Sequence, residues 1–210
     1  MNEPRRRAGF DGLEGIGDRL RAERVGAGLS QRELARRLGL SASMISQLET
    51  GAVKPSVGTL YAIVTELELS LDRLIRGEDF RGGRGALAGG KSPLVHPEDR
   101  HAIDLASGVR WEELTAVSED GVDFLHTTYE VGGASTPDES LMRHDGREYG
   151  YVMSGTLGVQ IGFDEYELSP GDSIAFDSTL PHRLFNAGDV RVHAIWLVVG
   201  RDGKRGGPHI

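Results

Sequence analysis

The spacing of apolar residues changes character once along this chain, at a segment rich in glycine. Before residue 77 the apolar residues recur at the three-and-four spacing of amphipathic helices. After residue 93 they alternate, or cluster between Gly, Pro and Asp, which is a strand pattern. The intervening GEDFRGGRGALAGGKSP has little apolar content and reads as a flexible linker. One sequence with two periods cannot build a single uniform core. The expectation is a helical domain over 12–76, a linker over 77–93 and an all-β domain over 94–200.

The chain has 210 residues, enough for two small domains. It has no cysteine, so disulfides and thiolate metal sites are excluded. No apolar run approaches the roughly 20 residues that span a bilayer, and MNEPRRRAGFDG lacks the apolar stretch of a signal peptide. A cytoplasmic protein with no membrane partner is expected.

The formal net charge of −8 argues against a nucleic-acid partner until its distribution is considered. Residues 1–76 carry 12 Lys+Arg against 10 Asp+Glu, whereas residues 91–210 carry 10 against 20. A mildly basic head on an acidic body suits a protein that touches DNA with one end only.

The head parses into five short helices. The first runs from near Gly15 to Val25, with Ile16, Leu20 and Val25 inward. Ser30 precedes the second, and SQRE places it three residues before Glu33, as in a capping box. That helix buries Leu34, Ala35 and Leu38 and stops at Gly39. Ser41 starts the third, which buries Ile45 and Leu48 and ends at Gly51. Helices over 57–67 and 71–75 follow, with Ser56 and Ser70 at their N-cap positions. The second half offers strands at 111–117, 123–131, 147–153, 157–163, 173–177 and 190–199, a barrel or sandwich pattern.

Two short helices joined by a turn containing Gly39 can pack at a steep angle, with Ala35 allowing close approach. The third helix then presents Ala42, Ser43, Ser46 and Gln47 outward, a face free of bulky apolar groups that can enter a major groove. Gln47 can bond adenine bidentately, and Ser43 is a permissive base contact. Thr50, Lys54 and Arg36 are phosphate candidates. The bland alternative is a solvated polar face. Against it stands the run GLSQRELARRLGLSASMISQLETG, Gly28 to Gly51, which resembles the core of the lambda repressor-like (XRE-type) helix-turn-helix family. The resemblance covers about residues 12–76 and implies binding to an operator in double-stranded DNA. It also implies that Gln31 helps clamp the DNA backbone at a helix N-terminus, and that Arg24 pairs with Glu49.

In the second half, RHDGREYGYVMSG (Arg143 to Gly155) and PGDSIAFDSTLPHRLFN (Pro170 to Asn186) resemble the two cupin motifs. The resemblance implies a double-stranded β-helix barrel. It places His144 and Glu148 on first-motif ligand positions and His182 on the second-motif histidine. Met142 stands where the first histidine of the pattern belongs, which puts four-ligand binding in doubt. Two imidazoles and a carboxylate can form a facial triad for one divalent metal ion, Fe, Zn, Ni or Mn. Strand alternation puts Gly150 on the same inward face, where it would leave room for a ligand. Without a metal, the same groups would be hydrogen-bonded inside the barrel. His96, His101, His126, His193 and His209 are scattered and take no role, and Trp111 and Trp196 read as core.

Two functions of different class remain. The first is a homodimeric, ligand-responsive transcriptional regulator, with an effector bound around His144, Glu148, Gly150 and His182. In that reading the glycine-rich linker lets the heads rearrange. The second is a mononuclear non-haem metal-dependent oxygenase or epoxidase using His144, Glu148 and His182. An intact recognition-helix face favours the regulator.

Overall fold

The computed structural model describes residues 15–69, 71–76, 92–116, 121–137 and 139–200. The head contains α1 (Ile16–Gly26), α2 (Gln31–Leu38), α3 (Ala42–Glu49), α4 (Val57–Glu66) and a short α5 (Leu71–Arg76). Ser30, Ser41 and Ser56 each accept a hydrogen bond from the backbone N–H three residues on. Each cap contributes about 1 kcal/mol. Gly39 takes the left-handed conformation, φ 67°, that ends α2 and turns the chain into α3. Ser70 and most of the expected linker, residues 77–91, lie outside the described residues.

α1 departs from expectation at one position. Val25 is exposed, and the buried place one residue earlier belongs to Arg24. A charged residue can occupy it because the guanidinium is paired. Arg24 Nε and Nη2 contact Glu49 Oε1 and Oε2 at 2.5 and 3.2 Å, and Nη1 donates to the Leu29 carbonyl. The expected link between the first and third helices is therefore present.

The second half folds as two facing sheets. Strands β1 (Ala102–Leu105), β2 (Val109–Glu113), β3 (Val122–Tyr129), β4 (Arg147–Ser154), β7 (Ser173–Asp177) and β9 (Val192–Val199) form one, in the order β1-β2-β3-β9-β4-β7. β5 (Leu157–Ile161), β6 (Asp164–Leu168) and β8 (His182–Asn186) form the other, in the order β6-β5-β8. All named pairings are antiparallel. The expected strands correspond to β2, β3, β4, β5, β7 and β9. β1, β6 and β8 were not anticipated.

Along β4 and β9 alternate residues point into the barrel, Glu148, Gly150 and Val152 from one strand and Ala194, Trp196 and Val198 from the other. The opposite face is partly apolar. Phe124, Leu197 and Tyr149 lie in one cross-strand row, and His126, Ile195 and Tyr151 in the next.

The two halves touch directly. The Gly58 N–H donates to the Ser135 carbonyl at 3.2 Å, and the Ala106 N–H to the Pro55 carbonyl at 2.8 Å. The Tyr61 ring on α4 lies 5.6 Å from the Trp111 ring on β2. Buried residues of both halves form one continuous apolar cluster. The head is seated against the barrel by these contacts of its own, in addition to the linker. Among the described residues no helix is long and apolar enough to cross a membrane.

Candidate functional site

Three side chains from two separated segments meet inside the barrel. His144 precedes β4, Glu148 lies within it, and His182 opens β8. Gly146 lets the first two converge, because its φ of 113° turns the chain just before β4. A β-carbon there would lie 2.5 Å from the Val199 carbonyl oxygen. His182 is brought across by a pair of backbone bonds, each of Met142 and His182 donating to the other's carbonyl. His144 Nε2 and His182 Nε2 then lie 2.8 and 3.0 Å from Glu148 Oε1. All three side chains are essentially sealed from solvent.

Hydrogen bonding fixes the chemistry of this cluster. His144 Nδ1 contacts the Asp145 carbonyl at 3.1 Å, and His182 Nδ1 the Leu180 carbonyl at 2.8 Å. A carbonyl only accepts, so each Nδ1 carries a proton, and a ring that is neutral turns a bare Nε2 inward. The two Nε2 atoms and Glu148 Oε1 are close, yet none makes a hydrogen bond of proper geometry. Three lone-pair-bearing atoms converging in a dry interior repel one another unless a positive charge lies among them.

Two arrangements supply that charge, an imidazolium or a metal ion. Burial alone would lower the pKa of His182, but the adjacent Glu148 carboxylate and the Leu180 carbonyl together raise it. Burial alone would raise Glu148, but the two imidazoles hold its carboxyl at about 2. The donor set equally fits a divalent cation: the three ligand atoms lie within 4.8 Å of one another, and both distal ring nitrogens are tied to carbonyls as metal-bound histidines usually are. The triad can hold a metal.

Two residues of the site were not anticipated as such. Trp196 Nε1 donates to Glu148 Oε2 at 2.6 Å, so this tryptophan orients the carboxylate as well as filling the core. It also overturns the expected role of Gly150. A β-carbon on Gly150 would lie 2.0 Å from the Trp196 ring, so the space the glycine leaves is filled by the indole and not open to a ligand. The second is Tyr61, whose ring stacks on His144 with centroids 4.1 Å apart and planes 25° apart.

On the head, α3 exposes Ser43, Gln47 and Thr50, with Ser46 half-buried. Ala42, expected outward, instead packs against the core. Gln31, expected at phosphate, donates its amide to Glu49 Oε2 at 2.7 Å and so joins the Arg24 lock. The Thr50 hydroxyl donates to carbonyls at the end of α3. Arg36 reaches its own helix neighbour Glu33 in an exposed pair, and Lys54 lies 4.0 Å from Asp104 on β1. Exposed pairs of this kind are weak and exchange readily for phosphate.

A helix-turn-helix family model matches residues 20–74, and a cupin domain model matches residues 125–198. The chain joins a helix-turn-helix domain to a cupin domain. It is 25% identical over 181 residues to the HTH-type transcriptional regulator PuuR of Escherichia coli (strain K12), covering 81% of this chain and 86% of that one. An uncharacterized HTH-type transcriptional regulator, y4dL of Sinorhizobium fredii, is 43% identical over 58 residues, 28% of this chain and 30% of its own. Among solved structures, an HTH_3 family transcriptional regulator from Vibrio cholerae superposes with a TM-score of 0.64 at 21% identity, covering 90% of this chain and 97% of its own. That likeness shows the shared fold of the helix-turn-helix and cupin domains together. The hydroxypropylphosphonic acid epoxidase of S. wedmorenis covers 90% of this chain at 18% identity but with a TM-score of 0.43, too low to bear on chemistry.

Proposed function

We propose that this chain is a sequence-specific DNA-binding transcriptional regulator whose cupin domain, within 94–200, senses a small effector at the His144, Glu148 and His182 site. The observation that carries the reading is the exposed polar face of α3 within 12–76, held in place by the buried Arg24–Glu49–Gln31 lock. Ser43 and Gln47 point away from the core at the positions where a recognition helix meets base edges. Arg36, Thr50 and Lys54 flank that face as phosphate contacts. The regulator relative, matched along four-fifths of this chain, supports the same reading. Selection of bound sequences from random DNA tests it: one enriched motif is expected, and its absence refutes the regulator.

The proposed occupant of the triad is one divalent cation, Fe(II) first, with Zn, Ni and Mn taking the same donors. Elemental analysis of purified protein tests this. The protein is proposed to act as a homodimer, because the outer rows Phe124–Leu197–Tyr149 and His126–Ile195–Tyr151 leave apolar surface uncovered. A two-fold dimer also matches a pseudo-palindromic operator.

A second reading rests on the triad itself. Three ligands leave coordination positions open, and Fe(II) there would supply oxygen or peroxide activation. In that case His144, Glu148 and His182 hold the ion, and Trp196 keeps the carboxylate in place. Turnover of a candidate substrate with added Fe(II), lost in H144A/H182A, would favour the enzyme.

A further inference from the structure

We propose that Tyr61 makes the helix-turn-helix domain a wall of the cupin site, so that occupancy of the His144–Glu148–His182 triad and the seating of α4 are one linked equilibrium. The inference rests on the regulator reading and names how its sensor reaches its reader. Tyr61 belongs to α4, the helix that follows the recognition helix, and its ring covers one face of the His144 imidazole at 4.1 Å. His144 cannot turn freely beneath it, since Nδ1 is held by the Asp145 carbonyl and Nε2 faces Glu148. A cation bonded to Nε2 would hold that ring, and with it the plane against which Tyr61 is stacked, more tightly still.

A separate contact ties the start of α4 to β8, the strand that carries the other histidine. Gly58 donates its N–H to the Ser135 carbonyl. Ser135 donates its backbone N–H to the Leu184 carbonyl, and its hydroxyl accepts the Leu184 N–H. Leu184 lies two residues beyond His182 on β8. The fit is tight, because a β-carbon on Gly58 would come within 2.9 Å of Thr136 Cγ2. α4 is thus held at two points, one on His144 and one on β8 through Ser135, and it is also part of the apolar core on which α2 and α3 rest. The triad side chains are 0–2% exposed, and the Tyr61 ring of α4 lies directly against one of them. Tyr61 acts here through His144, as a positioning residue. Two sites biasing one packed element are coupled reciprocally.

The test is hydrogen exchange on the full-length chain with and without Zn(II). In wild type, Zn(II) should slow exchange of the α4 amides, residues 57–66, by about fivefold or more. In Tyr61→Phe, which keeps the ring, the effect should persist. In Tyr61→Leu it should vanish while Zn(II) affinity stays within about threefold. Gly58→Ala, a substitution that favours helix but collides with Thr136, should weaken it without unfolding the head. Wild-type protein that takes up Zn(II) with no change over 57–66 overturns the proposal. So does an equal change in Tyr61→Leu, and so does wild-type protein that takes up no Zn(II). The DNA selection stands apart from this measurement, so failure of the coupling and failure of the regulator reading are distinguishable.

Discussion

Trp196 donates its indole N–H to Glu148 across 2.6 Å, and it does so from the space that Gly150 leaves on the neighbouring strand. Trp196→Phe keeps an aromatic ring, though a smaller one, and removes the donor. The carboxylate then loses the bond that holds its second oxygen. Zn(II) affinity in a competition titration should fall about 10–100-fold, as outer partners of metal ligands commonly cost when removed. Unchanged affinity would mean that the carboxylate is held by the histidines alone.

Gly150→Ala should act on the same pair from the other side. Its β-carbon would overlap the indole, which must move. Overpacking of this kind costs about 1–3 kcal/mol. Thermal unfolding should show the loss, and Trp196 fluorescence should shift with it. A variant as stable as wild type would show that the indole has room to move.

The Arg24–Glu49 pair yields a stability prediction with a defined pH sense. Removing one partner leaves the other buried and unpaired, at a cost of about 3–5 kcal/mol. R24M and E49Q should each destabilise the head, and a double-mutant cycle should show strong coupling. Burial alone would raise Glu49, but bonds from Arg24 and Gln31 outweigh it, so its folded pKa is lowered. A depressed carboxyl contributes stability that is fully present above its unfolded pKa and lost as pH falls through the folded one. Wild-type stability should therefore decline with acid more steeply than that of E49Q, as read by urea titration at several pH values.

On DNA, Gln47→Ala should cost about 1–3 kcal/mol and relax preference at one base pair. Arg36→Ala should weaken all sequences alike and flatten the salt dependence. Gln31→Ala is different, because its amide braces Glu49. It should lower stability and affinity together, which melting and binding curves on the same samples would reveal.

If the outer sheet face is the dimer surface, Tyr151→Arg with Met153→Arg should give a folded monomer in sedimentation. Both side chains are exposed on β4, so the fold has no need of them. A variant that stays dimeric would place the interface elsewhere.

The sequence made the head almost fully legible, because serine caps mark the starts of α2, α3 and α4, and Gly39 and Gly51 mark the ends of the first two. Val25 was misread for a local reason: its neighbour Arg24 is buried only because a partner 25 residues away neutralises it. β6 left no alternating signal, since DEYEL exposes all but Leu168. His144, Glu148 and His182 were found by motif. Trp196 and Tyr61 were not, because their roles arise from contacts with residues 48 and 83 positions away, which no local pattern carries.

Met142 stands where the cupin pattern has a histidine, and its place explains why a metal ligand is not required there. It pairs by backbone with His182, and a β-carbon on Gly58 would meet its own β-carbon at 3.5 Å. The position therefore belongs to the seam between the two domains as much as to the barrel. A bulky polar ring at 142 would have to share that seam with α4. The lost fourth ligand and the docked head are two aspects of one exchange, in which a coordination position has become an adhesive surface.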